Sequence, residues 1–143
     1  TLDNIKVLSG SISGSNAVGG IVGRTYCRGN VLIQNCENRA NINVNEKHSG
    51  GIAGYATNAA STMFRNNTNY GNITAPSGQS GAMIRYIGVN NASVNTFDNC
   101  RNFGNISGVG AQDKIALTKG MVTSAYSNRQ TFVNCVNYGA LTD

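Results

Sequence analysis

The 143-residue chain is polar without being charged: 40% of its residues are hydrophobic and only 12% charged, against roughly 25% charged in an average globular domain. Asn supplies 22 positions and Gly 18, Pro occurs once and Trp is absent, a bias that disfavours long helices and, with so few charges, charge-driven disorder. Eleven Lys and Arg against six Asp and Glu give a net charge of +5, yet the cations stand singly from Lys6 to Arg129, so the clustered footprint of phosphate recognition is missing and no nucleic-acid partner is expected.

Read in chain order, the elements repeat. The chain opens on Ser9-Gly10-Ser11-Ile12, which matches the later Phe103-Gly104-Asn105-Ile106 and so forms the tail of an earlier unit. A first phrase, Val18-Gly19-Gly20-Ile21-Val22-Gly23, is followed by a second, Ile33-Gln34-Asn35-Cys36-Glu37-Asn38-Arg39-Ala40-Asn41-Ile42. Both then recur: Ser49-Gly50-Gly51-Ile52-Ala53-Gly54 with Phe64 to Ile73, a decayed Ser80-Gly81-Ala82-Met83-Ile84 with Phe97 to Ile106, and Lys119-Gly120-Met121-Val122 with Phe132 to Leu141. Each unit holds three short apolar patches separated by Gly or Asn, and a period of 31 to 35 residues with three strands is one rung of a parallel β-helix. The expected fold is therefore all-β, a right-handed β-solenoid of about four three-stranded rungs, because connections between parallel strands take that hand.

Equivalent positions stack, so comparing repeats assigns faces. Ile33, Phe64, Phe97 and Phe132 form an apolar column predicted to be buried. The neighbouring positions vary (Gln34, Arg65, Asp98, Val133, and Glu37, Thr68, Arg101, Val136) and are expected to face water. Two Asn columns, at 35, 66, 99, 134 and at 38, 69, 102, 137, are the same in every repeat. Asn tolerates a left-handed backbone at a corner, and its amide can bond from rung to rung. Four Asn-x-Ser/Thr sequons occur, at Asn66, Asn72, Asn91 and Asn105; Asn66 belongs to a ladder that a glycan would break, which favours a bacterial origin.

Gly-Gly-Ile-Val-Gly followed by Asn-Cys-x-Asn-x-Gly-x-Ile resembles the GLUG-type repeats of large bacterial surface proteins, including regions beside immunoglobulin A1 peptidases. The resemblance runs from Gly10 to Leu141, with Ala82 and Asn67 departing from the pattern. It implies a secreted or cell-surface segment of a longer protein, with catalytic residues elsewhere. The start at Thr1 without Met suits an excised segment, and 1–143 is expected to form one domain.

The chemistry-bearing residues are sparse. Cys36, Cys100 and Cys135 share one repeat position, filled by Asn67 in the remaining unit, and in-register neighbours rarely reach disulfide geometry, so buried free thiols are expected, with Cys27 outside the column and also unpaired. A single His and no Cys-x-x-Cys leave no metal site and no cofactor to expect. The acids Asp3, Glu37, Glu46, Asp98, Asp113 and Asp143 never share a column, so the carboxylate pairs of polysaccharide-cleaving β-helices are missing and no enzyme is expected. Asp98 stacks on Arg65 as a surface ion pair, and His48 reads as a solvated loop residue.

Four tyrosines, Tyr26, Tyr55, Tyr86 and Tyr126, follow the Gly-Gly-Ile segments at even offsets, and Arg24 shares their face. On the outside of the coil they would form a platform for sugar rings, with Arg24, Tyr26, Tyr55, Tyr86 and Tyr126 as ligand-binding residues; the competing reading is rings that merely cover the solenoid. Arg39, Tyr70, Phe103 and Tyr138 form a second column, read as structural.

Three functions follow: a non-enzymatic adhesin stalk or spacer displaying the loops 56–62, 88–94 and 108–116, a glycan-binding module, or a fibre subunit that stacks end to end. The implied partners are an extracellular glycan, a host surface protein or a second copy. No apolar run approaches the ~20 residues of a membrane span, so no membrane insertion is expected.

Overall fold

The structure is a computed structural model and describes residues 1–57, 59–75, 80–88, 94–108, 122–125 and 130–142. The expected loops 88–94 and 108–116 and the phrase Lys119-Gly120-Met121 lie wholly or largely outside the described residues, as does the sequon at Asn91. The described chain is all strand and turn, and every strand pair is parallel. It winds as a β-solenoid, as the repeat predicts. No helix among the described residues is long and apolar enough to cross a membrane.

Where three strands per rung are expected, the chain makes four sheets. The first stacks β1 (Leu2–Asp3), β5 (Asn30–Gln34), β9 (Ser61–Arg65), β14 (Val94–Asp98) and β18 (Gln130–Val133). A second, of two-residue strands, stacks β2 (Lys6–Val7), β6 (Glu37–Asn38), β10 (Thr68–Asn69), β15 (Arg101–Asn102) and β19 (Val136–Asn137). The third pairs β3 (Ser11–Gly19) with β7 (Asn41–Gly50), which carries β11 (Ile73–Thr74) on its first half and β12 (Ser80–Gly81) on its second, with β16 (Ile106–Ser107) beyond β11. The fourth holds β4 (Val22–Tyr26), β8 (Ala53–Thr57), β13 (Ile84–Gly88) and β17 (Val122–Ala125). The second sheet hides in the sequence because a two-residue strand between Asn corners has no alternating pattern to show.

Registers match the repeat. Ile33 pairs with Phe64, Phe64 with Phe97 and Phe97 with Phe132, and the three rings stack at 5.1 and 5.0 Å with planes 15° and 14° apart. Ile33, Phe64 and Phe97 are fully buried beside a column of Ile42, Ile73 and Ile106. Parallel in-register stacking puts like on like, so every rung reuses one packing solution.

The Asn columns are ladders of two kinds. Asn35, Asn66, Asn99 and Asn134 hold φ of 50° to 54° at a corner, and Asn66 and Asn99 each donate to the Asn one rung below at 3.1 and 2.9 Å. The second column is buried up to Asn102 and half-buried at Asn137: Asn38 donates to Asn69 at 2.8 Å, Asn69 to Asn102 at 2.7 Å and Asn102 to Asn137 at 2.6 Å. Each second hydrogen of those amides goes to the carbonyl two residues on, as from Asn69 to Gly71. A third ladder was not anticipated, in which Asn41, Asn72 and Asn105 accept from the backbone N–H of the next rung at 2.9 to 3.0 Å. Where Asn67 replaces Cys, it accepts from Cys36 N–H and donates to Ile33 O, so the departure is satisfied.

Close approach explains the glycine of the Gly-x-Ile phrase. A Cβ on Gly104 would lie 2.0 Å from Gly71 O, and one on Gly71 1.8 Å from Ala40 O. Only a hydrogen fits between stacked corners.

Among the described residues two buried threonine hydroxyls, those of Thr25 and Thr62, are left over. Thr62 is fully buried, and its hydroxyl finds no hydrogen-bond partner, while the residue in register one rung below is Val31. Thr62→Val keeps the shape and removes the orphaned hydroxyl, so it is expected to raise stability by about 1 kcal/mol in a urea titration.

Candidate functional site

The third and fourth sheets meet at a corner that departs from regular alternation. Ala17 and His48 occupy equivalent places in β3 and β7 and both hold left-handed backbones, at φ 53° and 61°. Opposite them the ladder between β4, β8 and β13 skips Gly23, Gly54 and Arg85. A Cβ on Gly54 would lie 2.6 Å from the Ala17 carbonyl carbon, and one on Gly23 2.5 Å from Ala17 O. The glycines thus let β4 and β8 fold down onto β3. Ala53 and Ala56 both turn inward, three residues apart, and Tyr55 is left pointing out.

This corner opens a cleft of about 410 Å³ lined by Asn16, Ala17, Arg24, His48 and Tyr55. Arg24 and Tyr55 are in register in adjacent rungs. The Arg24 guanidinium carbon lies 5.1 Å from the centre of the Tyr55 ring and 5.8 Å from that of Tyr26, within cation–π range of both. The His48 ring also packs against Tyr55, 4.8 Å between centroids and tilted by 46°. Tyr26 is 67% exposed and Arg24 is exposed, so the platform faces water on at least this stretch.

Three of the five residues expected to form the platform therefore come together: Arg24, Tyr26 and Tyr55. Tyr86 is in register with Tyr55 along the backbone, and its side chain lies outside the described residues, as does Tyr126 altogether. His48 is a correction. It sits within a strand, half-buried against Tyr55, rather than in a solvated loop. Burial, first, and then the charges of Arg85, Lys47 and Arg24 hold its imidazole below its ordinary protonation range.

Arg85 is the residue that reading by motif missed. It stands where the two earlier repeats carry Gly23 and Gly54, and its Nε and Nη1 are shielded from solvent while its charge acts on His48. The signal was available, since the decayed third copy breaks the Gly-Gly-Ile-Val-Gly phrase at this position. No metal-ligand grouping of three His, Cys, Asp or Glu exists among the described residues.

The second aromatic column has different chemistry. Arg39 stacks 4.4 Å above Tyr70, Tyr70 on Phe103 at 5.0 Å, and Phe103 on Tyr138 at 4.8 Å, with ring planes within 13° of parallel. Tyr70 and Phe103 each have two stacked neighbours, and Tyr138, 64% exposed, ends the column, so the stack braces the rungs it joins. Arg39 is held from the other side by Glu37, and the Arg65–Asp98 pair forms at 3.4 Å as expected.

All four cysteines are free. Cys36 and Cys100 are buried as expected, whereas Cys135, in the last described rung, is half-buried because nothing described covers it. Contact with Cys100 brings the Cys135 thiol down to about 7, while the same contact and burial push Cys100 up. Under native conditions at pH 8, Cys135 should therefore react with an aromatic disulfide reagent while Cys36 and Cys100 wait for unfolding; peptide mapping of the labelled protein distinguishes them.

Compared with known proteins, the chain matches no family model, no curated protein and no solved structure.

Proposed function

We propose that the chain is a non-enzymatic β-solenoid module of a secreted or cell-surface bacterial protein, serving as an adhesin stalk or spacer. The observation that carries this reading is the Asn ladder from Asn38 to Asn137, unbroken over four rungs. It runs beside the Phe64–Phe97–Phe132 stack and the Arg39–Tyr138 column. The repeated chemistry is spent on joining rung to rung, which makes a rod that resists extension. The GLUG-type resemblance of the motifs supports the surface setting. Pulling the chain between two handles tests it: an abrupt unfolding peak is expected, weakened in Asn69→Ala, and smooth extension at low force would overturn the reading. Replacing the module by a flexible Gly/Ser linker of equal residue number should lengthen and broaden the reach of a tag displayed on a cell, since such a chain spans roughly 60–70 Å on average against about 20 Å for four stacked rungs.

A second reading, glycan binding, is favoured by one observation: Arg24 lies over the Tyr26 and Tyr55 rings on an exposed face beside a cleft. Sugars stack on aromatic faces and bond to flanking polar groups. Tyr55→Ala should then weaken oligosaccharide binding while leaving the melting temperature within a few degrees, and an unaltered glycan-array profile would dismiss it.

A further inference from the structure

The charge around the cleft is one-sided. Arg24 lines it, and Arg85, Lys47 and Arg24 are the charged groups that act on His48 from β13, β7 and β4. No Asp or Glu is among its lining residues; the acid nearest in sequence, Glu46, is exposed on β7 two residues before His48. Like charges converge here because the third repeat has an arginine in the place of Gly54, and its charge acts on the imidazole. Converged cations repel each other, and an anion among them relieves that repulsion. The volume, about 410 Å³, lies in the lower part of the range of roughly 300–1,000 Å³ for small-molecule sites.

The geometry also selects what carries the anion. Arg24 has its guanidinium over two rings, which leaves the edge of its fork for a planar, two-oxygen partner. Asn16 offers an amide at the rim, and the exposed Tyr26 ring offers an apolar surface outside the cleft. A bare inorganic anion would use the cations and leave the rings idle. We propose that this cleft recognises a carboxylate-bearing sugar, a uronate within an oligosaccharide, with the carboxylate on Arg24 and His48 and the sugar ring against Tyr26 and Tyr55. The assignment rests on the glycan-binding reading and names its ligand class.

Carboxylate binding favours the protonated imidazole, so affinity rises as pH falls through the ordinary histidine range. The opposing cations Arg85, Lys47 and Arg24 are partly neutralised by the ligand, which is what lets His48 take up its proton.

The test is calorimetric titration of the whole chain with trigalacturonate, with its fully methyl-esterified form, and with inorganic sulfate. Trigalacturonate is expected to bind at least about tenfold more tightly than the ester, and Arg24→Gln to lose about tenfold without moving the thermal melt. Affinity should rise severalfold between about pH 7.5 and about pH 5.5, and His48→Gln should abolish that rise. If Arg24 matters through folding instead, Arg24→Gln will lower the melt together with the affinity, which overturns the site. Equal binding of ester and acid overturns the acidic assignment and leaves glycan binding standing. Sulfate binding as tightly as the trisaccharide overturns the sugar assignment, and no binding by any of the three overturns both the uronate site and the glycan reading for this sugar class.

Discussion

Phe97→Ala is expected to destabilise the chain by about 3 to 5 kcal/mol, whereas Arg101→Ala, four residues on, should cost under about 0.5 kcal/mol. Phe97 is fully buried and sandwiched between Phe64 and Phe132 at 5.1 and 5.0 Å. Truncation removes two ring–ring contacts at once and leaves a void that in-register rungs cannot close, because the strands above and below are held by ladder bonds at every residue from Asn95 to Asp98. Arg101 is exposed, and its side-chain contact is a 3.4 Å bond to the half-buried Asn99. Urea titrations of the two variants measure the contrast; equal costs would mean that the faces are assigned wrongly.

Asn69→Ala should cost about 3 kcal/mol or more, a large effect for one polar side chain. Asn69 is fully buried, donates to Asn102 Oδ1 at 2.7 Å and Gly71 O at 2.8 Å, and accepts from Asn38 at 2.8 Å. Removing it strands an acceptor on each of two neighbours and a donor on a third in a fully buried site. Asn66→Ala, in the exposed corner ladder, should cost less for lost bonds, about 1 kcal/mol, although it also forces Ala into φ 53°. A thermal melt of both variants gives the comparison. Should Asn69→Ala melt with the wild type, the buried ladder would be ornamental and the rod would have to be held by its core alone.

Most of the architecture was legible because a solenoid writes its contacts into its period. Stacked positions share chemistry, so Phe64 and Phe97, or Asn69 and Asn102, announce their pairing by recurring 33 residues apart. Constant apolar positions likewise announced the buried Ile33, Phe64 and Phe97, whereas the constant corner column of Asn35, Asn66 and Asn134 is exposed. The second sheet did not appear, since Glu37–Asn38 and its equivalents are two-residue strands too short for a pattern. The Asn41–Asn72–Asn105 ladder was overlooked because it bonds side chain to backbone, and the partner N–H carries no residue identity.

The candidate site divides the same way. By itself the sequence determined that Arg24, Tyr26 and Tyr55 share a face, an inference that needs only strand parity and a common repeat; that this face is the outer one was decided by the structure. Only the tertiary structure decided that His48 and Arg85 belong with them, and that Cys135 differs from Cys36 and Cys100. The corner at Ala17 and His48 turns on left-handed backbones in a long strand, and it brings β3, β7, β8 and β13 together across residue separations that the period does not align. A repeat reveals what lies directly above and below each residue; what lies beside it, around the coil, depends on how tightly each corner folds, and that is set by contacts such as Gly54 on Ala17 that no single repeat position encodes.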